Sequence, residues 1–509
     1  MNLTEETLNL IKGVYGAGAV DAGTLTKTIS TGTGIVGYDL QAPAKNLYPV
    51  VTPIRNRLPR VMGPTGTATH WVQINAIIGS GFDAMGWVPE GQRAAQMSYN
   101  TSAKSAPYVT LGEEDAVTYE AISAARGFED VQSRMTFRLL QKMMLKEEMA
   151  LLAGNAGASA GGVSLGTPAT PALSASGSGA TLPAATYSVI VAALTLEGFQ
   201  NSSVTTGVAT SQTITGADGK SFTLSGGSSN KSANATQAVT LGQSLFATVA
   251  AIQGAVAYAW YVGTAGNETL QAITTINSAA FAAPLAGGRQ AATAITADNS
   301  ANANYAYNGL LTTALAAGSN AYVQIQPTGT AGVGTPLTAS GAGGVNEIDT
   351  MLETMWNTFE LSPTVLYVNA QELRNITNKV LNNASAPLLR FHEDAANGTD
   401  GGGGGFHLTA SGAIDFYYNP FALDGGLKIP VRIHPRVPPG TIIGWAENLP
   451  IQYQSNEVPN VAEVKTRQDY YQIEWPITTR QRQVGVYAEE VLAVYAPFAM
   501  GVITNIGNG

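Results

Sequence analysis

The chain has 509 residues, with 26 Lys and Arg, 35 Asp and Glu, no Cys and a net charge of −9. This length allows more than one buried core, and the negative charge argues against a dedicated nucleic-acid binder, which needs clustered cations. The lack of Cys excludes disulfides, thiolate nucleophiles and iron–sulfur clusters. With no basic leader and no apolar run near 18 residues, we expect neither a signal peptide nor a membrane span.

The rest of the composition points to assembly. Charged residues make up 12% of the chain, which is about half the share in an average soluble domain. Glycine is abundant, with 57 residues. This mixture is typical of β-rich proteins that bury surface against neighbours instead of covering it with charge.

The N-terminal quarter of the chain predicts an arm and a hairpin. Residues 1–60 show no sustained periodicity, so we expect an arm that needs a partner surface. Residues 67–78 and 106–111 have alternating or β-branched character, which predicts an extended hairpin. Because a long two-stranded element is marginal alone in water, its apolar side chains should be buried between subunits. These are Trp71, Ile74, Trp87 and Val88.

One long helix is predicted over residues 129–153, which contain no Gly or Pro and many strong helix formers. Asp130 favours its N-terminal end, and Gly154 supplies its stop. Apolar residues at helical spacing should pack on the core of the protein. They are Val131, Met135, Leu139, Leu140, Met143, Met144 and Leu151.

The same helix carries a cationic stripe at intervals of four residues, formed by Arg134, Arg138, Lys142 and Lys146. Like charges at this spacing repel each other, so the stripe indicates either an acidic partner surface or an ordinary solvated face. Glu113 and Glu114 are the candidate partners. Two further short basic groups indicate either contact with acidic neighbours or a packaged polyanion, or an ordinary solvated surface. They are Arg55, Arg57 and Arg60, and Arg480 with Arg482.

A composition shift marks the middle of the chain. The 185 residues from Gly157 to Gly341 contain only seven charged side chains, although they make up more than a third of the sequence. Tyr187, Val189 and Val191 alternate, residues 257–262 form a dense aromatic run, and turn signals separate such stretches. With Gly-rich linkers on both sides, this pattern predicts an all-β sandwich inserted into a larger domain. We expect residues from about 165 to 300 to fold independently.

The last third alternates helices and strands. Apolar residues at helical spacing predict a helix over residues 345–359, and a buried strand follows at 364–368. A second helix is predicted over 370–381. Further strands are expected near 429–433, 441–445, 470–474 and 491–495.

Motifs for catalysis are weak. Gly162-Val-Ser164-Leu-Gly166 matches the nucleophile-elbow pattern but lies in a linker, where a chance match is the better interpretation. His392-Glu393 lacks the second His of a zinc-binding helix, and the Glu113–Asp115 cluster is better explained by solvation or ion pairing than by acid–base chemistry. We therefore predict no enzyme activity, no catalytic residue, no metal and no cofactor.

The order of these parts resembles the tailed-bacteriophage major capsid proteins of the Hong Kong 97-type fold. The motifs that accompany it are Tyr307-Asn-Gly-Leu-Leu311, Gly426-Leu-Lys-Ile-Pro-Val431 and Pro438-Pro-Gly440-Thr-Ile-Ile-Gly444. The resemblance implies an α+β fold with an N-arm, E-loop hairpin, long spine helix, P-domain and A-domain. The corresponding boundaries are 1–63 for the arm, 64–112 for the E-loop, 113–160 for the P-domain with its spine helix, 161–300 for the insertion, 301–450 for the A-domain and 451–509 for the return to the P-domain.

The inserted segment is similar to immunoglobulin-like or fibronectin type III-like domains of phage structural proteins. For function, the resemblance implies a structural protein that is made in the host cytoplasm and self-assembles into the capsid of the virion. Its partners would be copies of itself in hexamers and pentamers, together with scaffold, portal and decoration proteins. It would enclose DNA without sequence-specific binding and without a membrane.

Several residues are candidate contacts between subunits: Trp71, Trp87, Lys104, Glu113, Glu114, Arg134, Arg138 and Lys142. Some family members crosslink an E-loop Lys to an Asn of a neighbour, and Lys104 lies in the right region, but no matching Asn or catalytic acid is identified. Two other functions stay open: an encapsulin-like nanocompartment shell of related fold, and a surface or secreted β-rich hydrolase.

Overall fold

The computed structural model describes residues 51–509 except 65, 79–84, 95, 97, 127–129, 342, 382–413, 422–425 and 450–459. Most of the predicted arm and the pair His392-Glu393 therefore lie outside the described residues. The first elements in chain order are β1 (Arg60–Met62), β2 (Ala68–Ile78), β3 (Ser98–Pro107), β4 (Val109–Thr118), α1 (Tyr119–Ala124) and α2 (Val131–Ala153).

The middle of the chain is mostly β-strand. Its elements are β5 (Ala172–Ser176), β6 (Ala185–Leu194), α3 (Leu196–Asn201), β7 (Ser211–Thr215), β8 (Ser221–Ser225), β9 (Ser228–Lys231), β10 (Ala235–Val239), β11 (Ser244–Thr248), β12 (Ala257–Gly263), β13 (Thr269–Thr274) and β14 (Ser278–Phe281).

The last part alternates helices and strands before it ends in strands. Its elements are α4 (Leu310–Leu315), β15 (Tyr322–Ile325), β16 (Thr335–Pro336), α5 (Asn346–Phe359), β17 (Val365–Val368), α6 (Ala370–Leu381), β18 (Phe416–Asn419), β19 (Leu427–Ile433), β20 (Ile442–Trp445), β21 (Ala462–Glu474), β22 (Gln481–Val494), β23 (Met500–Thr504) and β24 (Ile506–Gly507).

Helix α2 forms as predicted and lies on a four-stranded sheet. Asp130 caps it, because its carboxylate accepts hydrogen bonds from the backbone N–H groups of Gln132 and Ser133 at 3.1 and 3.2 Å. Gly154 ends it at a point where any Cβ would lie 2.5 Å from the carbonyl oxygen of Tyr307. The sheet has the strand order β1-β21-β22-β4. The buried side chains between helix and sheet are Met135, Leu139, Met143, Val117, Val484, Val486 and Ala488.

Strands β2 and β3 form a separate antiparallel two-stranded ribbon. The second strand of the predicted hairpin starts earlier than expected. The sequence from Ala106 to Leu111, read as one strand, spans the end of β3 and the start of β4, with a break at Tyr108. The 11 residues of β2 give the ribbon a length of about 36 Å.

The charge-poor segment contains three antiparallel sheets. The larger has the order β10-β6-β12-β13, with β9 also paired to β6, the smaller has the order β14-β11-β5, and the third is the two-stranded pair β7-β8. One face of the larger sheet, with Val191 and Trp260, packs against Leu245 and Phe281 of the smaller sheet. Its other face is covered by residues such as Val208 and Ile295. This double coverage explains why β6 and β12 read as continuous apolar runs.

A six-stranded mixed sheet has the order β15-β23-β20-β17-β19-β18. Helices α5 and α6 pack on one of its faces through Met351, Met355 and Ile376 against Leu366 and Ile429. The helices and the strand β17 lie where the sequence predicts them. The predicted strands at 470–474 and 491–495 are the ends of the longer strands β21 and β22.

The charge-poor segment is joined to the C-terminal strands by a buried pair of amides. Asn505 accepts a hydrogen bond from the backbone N–H of Asn277 at 2.7 Å, and its Nδ2 donates to the carbonyl oxygen of Gln326 at 2.6 Å. Asn505 has a φ of 63°, a left-handed conformation that Asn tolerates better than most residues. One continuous cluster of buried apolar side chains also runs from this segment into the rest of the chain.

We expect Asn505→Ala to lower the free energy of unfolding by about 1–3 kcal/mol, because it leaves the buried N–H of Asn277 without an acceptor. Asn505→Gly should cost less, because Gly adopts positive φ without strain. Urea unfolding of the unassembled protein measures both values. Thr213→Ala, which removes an exposed hydroxyl pair with Thr223, is the control. A free energy for Asn505→Ala within about 0.5 kcal/mol of the wild type would contradict this account.

Candidate functional site

Three buried carboxylates gather where helix α2 ends, and the first of them holds the chain that precedes β1. Ile54 and Leu58 of that chain are buried in a helical turn. The backbone N–H groups of Ile54 and Arg55 donate to the two carboxylate oxygens of Glu148 at 3.0 and 2.8 Å. A carboxylate at the start of a helical turn satisfies N–H groups that have no partner within the turn. Glu148 therefore fixes residues 52–58 on the end of α2.

The second carboxylate, Glu147, is 1% exposed and receives two arginines. Arg55 Nε donates to Glu147 Oε2 at 2.6 Å, and Arg60 donates to Oε1. The hydroxyl of Tyr470 donates to the same carboxylate, and both guanidinium carbons lie 5.2 Å from the centre of its ring. Arg60 also pairs with Asp469 at 2.5 Å. The two arginines are thus held by charge and by the aromatic face of β21.

The third carboxylate, Glu490 on β22, is fully buried. Its Oε1 accepts a hydrogen bond from the hydroxyl of Tyr307 at 2.8 Å, and Arg60 lies 3.3 Å from Oε2. Burial is the largest cause that raises the pKa of the Glu490 carboxyl, and the negative charge of Glu147 raises it further. Burial, together with the negative charge of Glu147, therefore favours the neutral form of Glu490.

His434 joins the six-stranded sheet to this cluster. It follows β19 and is fully buried. Its Nδ1 accepts from the backbone N–H of Arg436 at 3.1 Å, so the ring hydrogen stands on Nε2, which lies 2.6 Å from Glu148 Oε1. The segment before β1, the helix α2, the sheet β1-β21-β22-β4 and the six-stranded sheet therefore meet at three glutamates. We call Glu147, Glu148 and Glu490 with their partners the carboxylate cluster.

The sequence carried a signal for this cluster that composition alone does not reveal. Glu147 continues the series Met135, Leu139, Met143 at the next interval of four residues, so it stands on the buried face of α2. A charged residue in that position must find a cation or lose its charge. Of the predicted basic groups, Arg55 and Arg60 supply the cations, Arg57 pairs with Glu447, and Arg480 and Arg482 pair with Glu120 and Glu474 at 2.6 and 2.7 Å.

The cationic stripe of α2 meets an acidic residue within the same chain. Both Lys142 and Lys146 donate to the carboxylate of Glu113. Burial opposes ionisation of Glu113, but the hydrogen bonds from the two lysines hold its pKa below the usual value. Glu113 therefore meets part of the cationic stripe within its own chain, and its contact with a neighbouring copy stays a prediction. Arg138 and Arg134 stand one and two turns before Lys142, and Arg138 is exposed.

Glu114 points the opposite way from Glu113, because side chains alternate along β4. It accepts hydrogen bonds from Trp475 Nε1 at 3.1 Å and from the hydroxyl of Tyr487. On the ribbon, Trp71 Nε1 donates to the carbonyl oxygen of Val494 at 3.0 Å. Lys104 lies directly opposite Trp71 and is exposed.

The tip of the ribbon exposes large apolar side chains. Trp87 is 92% exposed, and Met85 and Val88 beside it are also exposed. A contiguous apolar surface of this kind marks an interaction site. The side chain of Ile74 lies outside the described residues.

Ser164 of the nucleophile-like motif donates to Asp298 at 2.7 Å, and no histidine contacts it in the part of the chain that the structure describes. Among the described residues, no group of three Asp, Glu or His side chains is placed to hold a metal ion. Within the same ranges, no helix is both long and apolar enough to cross a membrane.

No protein-family model and no curated protein matches the chain. Solved structures similar to it along nearly the whole length include capsids and an encapsulin. One is the capsid of a native GTA particle, with 9% identity, 97% of this chain and 99% of that chain covered, and a TM-score of 0.39. The capsid of the cyanophage P-SCSP1u has 8% identity, full coverage of both chains and a TM-score of 0.39. An encapsulin complex from Synechococcus elongatus PCC 7942 has 11% identity, 92% and 93% coverage, and a TM-score of 0.33.

The raised pKa of Glu490 predicts that stability falls as the pH rises. The folded state favours the neutral form of Glu490. Its stabilising contribution to the free energy of unfolding is therefore complete below the ordinary glutamate pKa of about 4.3 and is lost as the pH rises through the raised pKa of the folded state. Glu490→Gln mimics the neutral carboxyl and should flatten this part of the pH profile, as followed by urea unfolding from acid to mildly alkaline pH.

Glu489→Gln is the matched control for that experiment. Glu489 is the neighbour of Glu490 in sequence, and its hydrogen bond from Arg467 lowers its pKa. Removing this carboxyl should leave the alkaline decline in place. If the free energy of unfolding of Glu490→Gln falls with pH as steeply as that of the wild type, Glu490 does not carry a proton in the folded protein.

Proposed function

We propose that this chain is the major capsid protein of a tailed bacteriophage, a structural protein that assembles with copies of itself into an icosahedral shell around the genome. Hexamers and pentamers of the chain would form the shell. The proposal requires no catalytic residue, since many weak contacts between subunits sum through multivalency.

The β2–β3 ribbon is the observation that carries this proposal. Its two strands pair with each other and with no other strand in the described part of the chain. It is about 36 Å long and ends in the exposed Trp87. The base of the ribbon is held in its own copy by the hydrogen bond from Trp71 to Val494. An isolated two-stranded ribbon is marginally stable in water, so its exposed tip would gain stability from a further surface. A second copy of the chain supplies that surface in a shell.

The remaining parts fit the same proposal. Residues 1–63 would be the arm, 64–112 the E-loop, and α2 the spine helix of a P-domain that residues 451–509 complete. Residues 301–450 would form the A-domain. The two larger antiparallel sheets of residues 161–300, with the β7-β8 pair, would form an immunoglobulin-like insertion.

The charge balance supports a container. A net charge of −9 keeps the wall from binding the genome tightly as it enters. Scaffold, portal and decoration proteins would be further partners. The protein would be made in the host cytoplasm and end in the virion capsid.

Negative-stain electron microscopy of the full chain, expressed alone and with a candidate scaffold protein, tests the proposal. We expect closed particles of uniform size. Particles that fill with cargo enzymes and lack a portal vertex in infected or producing cells would favour an encapsulin-like compartment instead. A monodisperse monomer under all assembly conditions would contradict a shell function of either kind.

The rate of hydrogen exchange in the ribbon shows whether β2 and β3 are stable in a single copy or are stabilised only by contact with another copy. We expect fast exchange of the backbone N–H groups of β2 and β3 in the unassembled protein, and slowed exchange in particles. The strands β21 and β22, which lie inside a four-stranded sheet, are the internal reference and should be protected in both states. Equal protection of the ribbon before and after assembly would count against the proposed contact.

A further inference from the structure

The inserted segment, residues 161–300, leaves the rest of the chain and returns to it just after helix α2. A buried side chain, Asn155, ties the two crossings together there. Its Nδ2 donates to the carbonyl oxygens of Val163 on the way in and Ser300 on the way out, both at 2.7 Å. Its Oδ1 accepts from the backbone N–H groups of Gly157 and Val163 at 3.1 and 3.0 Å. The amide therefore uses its whole hydrogen-bonding capacity to hold a stretch whose composition is typical of a linker.

A second amide fixes the same crossing from the exit side. Asn308 accepts a hydrogen bond from the backbone N–H of Ala156 at 2.9 Å and donates to the carbonyl oxygen of Ala160 at 2.8 Å. The backbone adds a direct link, because the N–H of Gly309 donates to the carbonyl oxygen of Gly154 at 2.8 Å. The end of α2 and the start of α4 are thus joined across the base of the inserted segment, which gives the segment one orientation on α2.

Three further parts of the inserted segment reach the six-stranded sheet and the helix beside it. Gln253 donates from Nε2 to the carbonyl oxygen of Leu315, the last residue of α4, at 2.8 Å. Gln200 donates to the carbonyl oxygen of Arg436, between β19 and β20, at 3.2 Å. The third contact is the buried amide pair that Asn505 forms after β23. Because these contacts lie on separate parts of the segment, they oppose its rotation about any single one of them.

Apolar packing fills the space between these polar contacts. A void of about 10 Å³ remains where Val163 meets Leu311 and Leu315 of α4, so it holds at most about one water molecule. Gly254 allows this approach, because a Cβ there would lie 2.3 Å from Val163 Cγ1. Boundaries between domains that move relative to each other are smaller and more polar. The boundary of the inserted segment is instead packed without a layer of water.

We propose that the inserted segment is a brace that joins α2, with the four-stranded sheet on which it lies, to the six-stranded sheet as one cooperatively folded unit. The contacts of the brace are neutral amides and apolar side chains, whereas the carboxylate cluster joins the same two sheets mainly through charged groups. A brace is the opposite of the independently folding domain that the composition predicts. In the proposed shell, each copy would carry the segment at a fixed position, and only this consequence rests on the proposed function.

Native-state hydrogen exchange of the unassembled full-length protein at increasing urea concentration tests the brace. A cooperative unit opens as a whole, so the backbone N–H groups of its central strands lose protection at the same urea concentration. We expect this for β6 and β12 in the inserted segment, β17 and β20 in the six-stranded sheet, and β22 in the four-stranded sheet. Loss of protection in β6 and β12 at a clearly different urea concentration would show a separate domain and overturn the proposal.

Two buried substitutions, one on each side of the boundary, make the test sharper. Ser188→Ala removes a hydrogen bond to Glu268 at 2.5 Å that lies wholly within the inserted segment. Ile376→Val shortens a buried side chain of α6 that packs on the six-stranded sheet. In one cooperative unit, each substitution lowers the urea concentration at which both regions open, and by the same amount in both. In independent domains, each effect stays on its own side.

Thr213→Ala is the matched control, because it removes an exposed hydroxyl pair with Thr223 on the surface of the inserted segment. It should leave the opening of both regions as in the wild type. The proposal is overturned if Ser188→Ala lowers protection in β6 and β12 while β17 and β20 keep the wild-type value, or if Ile376→Val shows the reverse pattern. Because these measurements use single copies, a protein that passes them and never forms particles would contradict the shell function and leave the brace in place.

Discussion

The fold depends on three carboxylates that have been taken out of water at the end of one helix. Glu147, Glu148 and Glu490 are each at most 1% exposed, and burying such groups is favourable only when cations and N–H donors surround them. The donors come from four separate parts of the chain. Each of these parts is held in place because it supplies a partner to the same buried group of carboxylates. Removing one partner of a buried ion pair leaves an uncompensated charge and lowers the free energy of unfolding by about 3–5 kcal/mol.

This arrangement explains how parts far apart in sequence keep one geometry. Arg55 and Arg60 hold the chain before β1 on α2. Tyr307 holds the later part of the charge-poor segment on β22, and His434 holds the six-stranded sheet at Glu148. Apolar packing alone is less selective, because a hydrophobic surface accepts many orientations. Hydrogen bonds with defined donors and acceptors fix one orientation, and a shell requires each copy to present its contact surfaces at the same angles.

The sequence predicted the elements with local signals and missed the contacts that depend on distance. Helix α2, its cap Asp130 and its stop Gly154 follow from helix propensity and capping, and strand β12 follows from its dense apolar and aromatic run. The pairing of Glu113 with Lys142 and Lys146 could not be read from the sequence, because it depends on α2 folding back over β4. The roles of Arg55, Glu148 and His434 were hidden for the same reason, since 93 and 286 residues separate Glu148 from its partners.

Some charged side chains of this protein pair with each other inside the chain, and others are exposed without a partner among the described residues. The first group stabilises the fold, and the second group is available for contacts with other copies. With 12% charged residues, few are available, and most cations of the four-stranded sheet and of the segment before β1 are consumed by internal carboxylates. Among the described residues Lys428 has no carboxylate partner and lies beside the exposed ring of Phe416, which is informative in a chain with so few charges. The same reasoning applies to Trp87, which is exposed in the described part of the ribbon. In the proposed shell, a second copy would lower the free energy at surfaces that one copy leaves exposed, so the few unpaired charges and exposed aromatic side chains are where contacts between copies are expected.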